Sequence, residues 1–467
     1  MSISSFLKEK FYQEHFFPSH NRGKALPKVL IDLLSESPGS WDIPELPELG
    51  SVLSDSGLIS DAQSFLARKF SSEKCWFGVN GASGMIQSAI LSMVKQGEFI
   101  LVPRNVHISV IKICLVSGVV PVFYDLEFSE VNGHYLPLNK LWLKKILDHH
   151  ALCNIKISGI VFIHPYYQGL SSEIDSLVEI CHQRRIPVLV DEAHGSYFLF
   201  CEDLGLPKSA VKSNADLVVQ SLHKSLNGLT QTAILWFKGD LIEQENVVKG
   251  INLLETTSPN SLLLASCEES IMDWLDETNL KRYKDVINYA KKISEELIAN
   301  GIPLIETHDP LKIILNTGSV GIDGFTADKF FCKYGLIAEL PERLSLTFCL
   351  GFTKQKQFAN ILTDLWIKLI KYAEPNGRLK TYKPPFELVQ IPSVSPSFAW
   401  RGKTEKLPLQ ECVGRICSEI VYPYPPGIPL IVPGEEINHE RIDWIREESL
   451  YCKDLVNSDL SVLTKDQ

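Results

Sequence analysis

From about residue 60 onward, apolar positions follow two rhythms that alternate along the chain. DAQSFLARKF (61–70) has helical spacing, CWFGV (75–79) is a short continuous apolar run, and a glycine-rich turn separates it from the helically spaced MIQSAILSMVKQ (85–96). EFILVP (98–103) and VVPVFY (119–124) read as buried strands, with a helix over HISVIKICLVSG (107–118) between them. SGIVFIHP (158–165), IPVLVDE (186–192) and DLVVQS (216–221) continue the strands, and AILWF (233–237) closes the series. SSEIDSLVEICHQRR (171–185) predicts a helix with Ser-Ser as its N-cap. Apolar strands alternating with amphipathic helices predict a mostly parallel sheet covered on both faces. In such a sheet ligands bind beyond the carboxyl ends of the strands. The glycine turn after CWFGV, Asp191 after PVLV and the Ser221–Lys224 group after DLVV then share one edge.

The pattern divides the rest of the chain. Residues 1–50 lack periodicity and read as an N-terminal arm, 51–255 as the sheet-bearing large domain, and 256–375 as a helical and α+β continuation. Pro and Gly mark 376–396 as a linker, leaving 397–467 as a C-terminal domain. Within that domain the prolines of VYPYPPGIPLIVPGEE (421–436) exclude a regular helix or central strand.

With 467 residues, 45% of them hydrophobic and 22% charged, the chain has ample material for a folded core. A formal net charge of −10 argues against binding a nucleic-acid backbone. Eleven cysteines without a CxxC predict reduced thiols and no metal site. The start has no signal-peptide core and no apolar run approaches a membrane span, so a cytoplasmic protein without membrane contact is expected.

Three groups carry candidate chemistry. GVNGASG (78–84) enters a helix, where backbone N–H groups and the Ser83 hydroxyl suit a phosphate; a plain turn is the alternative, and the spacing of Gly78, Gly81 and Gly84 does not fit a dinucleotide fingerprint. Asp191 ends a buried strand, where a carboxylate needs a cation such as a protonated pyridine nitrogen, or serves as a helix cap. His194 stands three residues on. Lys224 is either a solvated turn lysine or a desolvated amine able to form a Schiff base, with Ser221 and His223 beside it for a phosphate. A phosphate anchor, a ring-nitrogen carboxylate and an amine for an aldehyde are together what pyridoxal phosphate requires.

At this point the chain resembles the pyridoxal-phosphate-dependent fold type I enzymes, and among them the Orn/Lys/Arg decarboxylase family of the compact bacterial kind. FGVNGASGMIQSAI (77–90), LVPRNVHISV (101–110), HPYYQGLSSEID (164–175), PVLVDEAHGSYF (187–198), ADLVVQSLHKSLNGLTQTAIL (215–235), TTSPNSLLLAS (256–266) and ICSEIVYPYPPGIPLIVPGE (416–435) carry the likeness, in the family's order. The resemblance implies an α/β fold with a transferase-like large domain on a parallel-rich sheet, plus a smaller α+β C-terminal part. It implies Lys224 as the residue that holds the cofactor and Asp191 as the partner of its ring nitrogen. His107 would stack on the ring, and His194 would lie near ring and substrate. Ser83, Gly84, Ser221 and His223 would hold the phosphate, and Ser258 would reach the phosphate of a neighbouring subunit. Tyr167 and Glu419 are substrate candidates, Glu419 for a distal cation.

Ala82, Ile108 and Leu222 depart from the family's frequent Thr, Lys and Thr at those places. The implied reaction is α-decarboxylation of a basic L-amino acid, arginine before lysine or ornithine, in a homodimer or dimer-based oligomer. Nothing suggests the extra N-terminal domain of the large inducible members, so a decamer is not expected. An aminotransferase or aldolase on the same scaffold, and a catalytically silent cofactor-binding regulator, are the alternatives.

Overall fold

Each apolar run of the large domain becomes a strand, because a near-continuous apolar segment is stable only with both faces covered. A computed structural model describes residues 13–37, 39–373, 377–422, 428–450 and 459–465. Its main sheet comprises β1 (Lys74–Gly78), β2 (Phe99–Pro103), β3 (Val120–Tyr124), β4 (Ile157–Ile163), β5 (Val188–Asp191), β6 (Leu217–Ser221), β7 (Ala233–Phe237) and β8 (Val389–Gln390). The order across the sheet is β8-β3-β2-β4-β5-β6-β7-β1. The pairs from β3 to β6 are parallel, whereas β7 runs antiparallel between β6 and β1. The architecture is the α/β fold the patterning predicts, with two antiparallel strands, β7 and the edge strand β8, that periodicity does not distinguish.

Register places the chemistry. Gly78 and Ser221 both pair with Ala233, so the ends of β1 and β6 stand in one row. Asp191 ends β5 between Ile163 and Val219. Helix α1 (Gly81–Met93) follows β1, and α2 (Ile108–Ser117) follows β2 with His107 as its N-cap.

The helix after β4 starts at Ile174, later than the sequence predicts. Ser171 and Ser172 do not cap it, since the cap position is Glu173 and no side chain caps there. Instead the backbone N–H of Ser171 donates to His308 Nδ1 at 2.9 Å, which ties the turn to the following domain. That domain contains an antiparallel sheet of Lys312–Leu315, Leu346–Cys349 and Leu340–Pro341, with the helix Phe358–Ala373.

The proline- and glycine-rich stretch read as a linker supplies β8, which extends the main sheet beside β3. The C-terminal part has its own apolar cluster, including Cys412, Cys417, Ile431, Ile442 and Val462. Residues 423–427, the centre of the proline-rich motif, lie outside the described residues.

A buried polar cluster joins this part to the sheet. Glu435 accepts from Arg104, just after β2, and from Arg441 Nη2 at 3.1 Å. All three side chains are almost wholly inaccessible to solvent. Burial alone would raise the Glu435 pKa, yet the two guanidinium groups bring it down to about 2. The Arg104 guanidinium is sandwiched between the rings of Phe123 and Phe386, at 4.2 and 4.4 Å. Among the described residues no helix is long and apolar enough to cross a membrane, and the cysteines are free thiols.

Candidate active site

At the carboxyl edge of the sheet lies a cavity of about 500 Å³. Ser83, His107, Tyr167, Asp191, His194, Ser221, His223 and Lys224 all line it. Residues scattered over some 140 positions thus meet because each follows a strand that ends at the same edge.

The glycine turn is built for close approach. Gly81 has φ +72°, a left-handed conformation that glycine adopts without strain. A Cβ on Gly84 would come within 2.9 Å of the Asn80 Cβ. Among the described residues no side chain caps the first turn of α1; the Gly81 N–H donates to the Gln231 carbonyl at 2.8 Å and the Gly84 N–H to that of Asn80, which leaves the amide groups of Ala82 and Ser83 for an anion. Ser83 lines the cavity, whereas Gly84 lies behind it, buried against Asn80.

Asp191 is 6% exposed, and its Oδ1 accepts the Ala193 N–H at 3.1 Å. Burial raises its pKa against the pull of nearby Lys224, and it has no ion-pair partner among the described residues. The carboxylate therefore suits a cationic group presented from the cavity.

Lys224 sits on the single helical turn Leu222–Ser225. That turn is pinned by the N-terminal segment, because the Ser19 N–H donates to the His223 carbonyl at 3.0 Å and Ser19 Oγ bonds Asn227 Oδ1 at 3.2 Å. Burial lowers the Lys224 pKa, Asp191 opposes that shift and Lys312 adds to it. Its Nζ is 3.1 Å from His194 Nε2. His194 is held well below its ordinary pKa by burial and then by Lys224 and Lys312, and its Nδ1 is buried with no hydrogen-bond partner among the described residues.

His107 is brought to about 4, by burial first and then by Lys224 and Lys112, so its ring is neutral near pH 7. Its Nδ1 bonds Ser109 Oγ at 2.9 Å, which fixes the ring. His223 is likewise lowered to about 4, mainly by burial, and its Nδ1 faces the Thr232 carbonyl at 3.2 Å.

Besides Gly84, two sequence candidates are not in this cavity. Ser258 is exposed on its own chain. Glu419 is turned into the C-terminal part, where Oε1 accepts the Ser461 N–H at 2.5 Å, so the chain's own cavity does not receive it.

Conversely, the cavity recruits groups the sequence does not advertise. Glu339, Glu342 and Glu448 bring carboxylates to its wall. Glu339 accepts from the Tyr167 hydroxyl and from the Phe17 N–H at 3.0 Å. Glu342 accepts from Gln168 Nε2 at 2.9 Å and lies 3.1 Å from His134. Glu448 pairs with Arg343 at 2.9 Å. Phe17 and Phe386 add apolar walls. None of these belongs to a strand end of the main sheet, so no local signal marks them.

Comparison with known proteins adds an independent line. Residues 4–331 match the family model "Orn/Lys/Arg decarboxylase, major domain", and residues 379–449 match "Orn/Lys/Arg decarboxylase, C-terminal domain". The chain is 30% identical over 450 residues to an arginine decarboxylase of Halalkalibacterium halodurans, covering 92% of this chain and 89% of that one. In fold it is similar to the constitutive lysine decarboxylase of Escherichia coli, with TM-score 0.75 and 18% identity over 99% of this chain and 81% of the other. The lysine decarboxylase LdcF of Francisella novicida gives TM-score 0.73 and 21% identity, covering 89% and 73%.

Proposed function

The chain belongs to the Orn/Lys/Arg decarboxylase family, and on that premise we propose that it removes the α-carboxyl group of arginine with pyridoxal 5′-phosphate held at Lys224. Decarboxylation of a basic amino acid follows from the family and its fold type I scaffold. Arginine as substrate rests on the likeness to the H. halodurans enzyme. The observation that carries the reading is the Lys224 amine, desolvated and 3.1 Å from His194, in one cavity with the unpaired Asp191.

The residues present fit pyridoxal phosphate. Among the described residues His194 Nδ1 is an orphaned buried atom, Asp191 has no ion-pair partner, and the first turn of α1 has no side-chain cap and no Cβ atoms at Gly81 and Gly84. When bound, the cofactor supplies an aldehyde for an amine and a protonated ring that accepts the electron pair released with carbon dioxide.

Each protein group then has a task. The lowered pKa of Lys224 keeps its amine available as a nucleophile. Asp191 would keep a proton on the cofactor's ring nitrogen, and the neutral His107 would serve as its aromatic neighbour. Ser83, Ser221, His223 and the open amide groups of Ala82 and Ser83 would hold the phosphate. The substrate's distal cation finds acceptors among Glu339, Glu342 and Glu448, with Tyr167 orienting Glu339. Lys224 and His194, in hydrogen-bond contact, would take up the proton that the substrate's ammonium group gives up and deliver it to the α-carbon. Ser258, exposed on its own chain, would reach the site of a second copy in a cytoplasmic homodimer.

The test is carbon dioxide release from arginine, lysine and ornithine by the purified protein loaded with pyridoxal phosphate, with Lys224→Ala as control. Release from arginine, lost in the variant, is expected. A protein that binds the cofactor at Lys224 but releases nothing from any of the three would refute the reading.

A further inference from the structure

Behind the wall formed by Lys224 and His194 is a second lysine in an unusual setting. Lys312 is only 3% exposed, yet it forms no ion pair among the described residues. It opens the strand Lys312–Leu315 and stands directly opposite Cys349 in register, with Nζ 3.3 Å from the Cys349 Sγ. The same Nζ lies 4.6 Å from the Phe17 ring centroid and 5.1 Å from that of Tyr167. Those two rings also clasp His194, at 5.4 and 4.6 Å between centroids. A void of about 20 Å³ is bordered jointly by Lys224, His194, Phe17, Lys312, Cys349 and Asp309. The two lysines thus border one small void.

A buried lysine normally loses its proton or acquires a carboxylate. Here two aromatic faces lie against the amine, and a ring face stabilises the ammonium form rather than the neutral amine; the buried Asp309, whose carboxyl Lys312 pulls toward ionisation, borders the same void without forming an ion pair with it among the described residues. A fixed positive charge so close, in a poorly screened interior, opposes a second positive charge on Lys224 or His194.

We propose that Lys312 is a positioning residue whose ammonium group, held by Phe17, Tyr167 and Cys349, keeps the Lys224 amine unprotonated and His194 neutral. This deepens the decarboxylase reading and rests on it for the purpose of the device, though not for its test. The other charged or titratable groups facing Lys224 are Asp191 and Glu339, which favour its protonation, Cys349, and the histidines 107, 194 and 223. The three histidines are shifted toward the neutral form, so Lys312 is the cation that opposes the two carboxylates.

The experiment measures the pH midpoint for reaction of Lys224 with trinitrobenzenesulfonate in the full chain freed of cofactor, resolved by peptide mass spectrometry. Lys312→Met should move that midpoint upward by about one pH unit or more, and Lys312→Arg should leave it near the wild-type value. Cys349→Asp, which would neutralise Lys312 in place, should shift it in the same direction as Lys312→Met and serves if that variant does not fold. An unchanged midpoint in Lys312→Met, or equal shifts in the Met and Arg variants, would overturn the proposal. Because the readout is amine chemistry, it is decided separately from whether carbon dioxide is released from any substrate.

Discussion

Lys224 Nζ and His194 Nε2 stand 3.1 Å apart, and among the described residues neither side chain has a carboxylate as its hydrogen-bond partner. Two basic groups in contact, both pushed toward their neutral forms, make a poor structural pair and a good proton-handling one. His194→Phe preserves the packing between Phe17 and Tyr167 but removes the ring nitrogen. Turnover should fall by about 10²–10⁴-fold with a smaller change in KM, measured by carbon dioxide release. A variant within a factor of a few of wild type would remove His194 from the chemistry.

Asp191 is a carboxylate on the wall of the same cavity. Asp191→Asn keeps the shape and the Ala193 contact while removing the charge. We expect kcat to drop by about 10²–10³-fold, with pyridoxal phosphate still trapped at Lys224 by borohydride. Retention of full activity would mean that no cationic ring nitrogen is served there.

His223 gives a pH signature. Its Nδ1 faces a backbone carbonyl, so the other ring nitrogen can donate to a phosphate only in the imidazolium form. Without ligand its pKa is about 4, and a bound phosphate must raise it. Cofactor binding near neutral pH should therefore take up a proton, seen as a buffer-dependent enthalpy in calorimetry. His223→Gln should abolish that dependence and weaken binding.

The Arg104–Glu435–Arg441 cluster bears on stability. Glu435→Gln would leave two buried guanidinium groups without a counter-charge, and should cost about 3–5 kcal/mol. Chemical denaturation monitored by tryptophan fluorescence would show the midpoint fall. A loss below about 1 kcal/mol would mean that the aromatic sandwich suffices to hold the arginines.

Acid should destabilise the fold through its buried histidines. His164 is fully buried, its Nε2–H donates to the Lys208 carbonyl at 2.9 Å while its Nδ1 has no partner among the described residues, and its folded-state pKa is about 4 against an ordinary 6.5. Because the folded value is depressed, the unfolded chain binds a proton first as pH falls. Stability from this residue is complete above pH 6.5 and is lost toward pH 4, a span worth about 3 kcal/mol. The thermal midpoint should fall across that window, and less steeply in His164→Asn. Equal slopes would assign the acid limb to other groups.

The sequence by itself determined the strand-and-helix alternation and the residues at the strand ends, from Ser83 to Lys224. That was possible because a parallel sheet gathers the carboxyl ends of its strands, so a local pattern of apolar runs carries a three-dimensional address. The likeness to a family likewise lay in short contiguous motifs. Only the tertiary structure decided that Phe17 and Ser19 of the N-terminal segment brace the Lys224 turn, that Glu339 and Glu448 face the cavity, and that Glu419 does not. It also decided that Lys312 lies behind His194 and that Ser171 bonds His308 instead of capping a helix. These contacts join segments far apart in the chain, and their partners are chosen by packing between domains, for which no periodicity of either segment provides a signal.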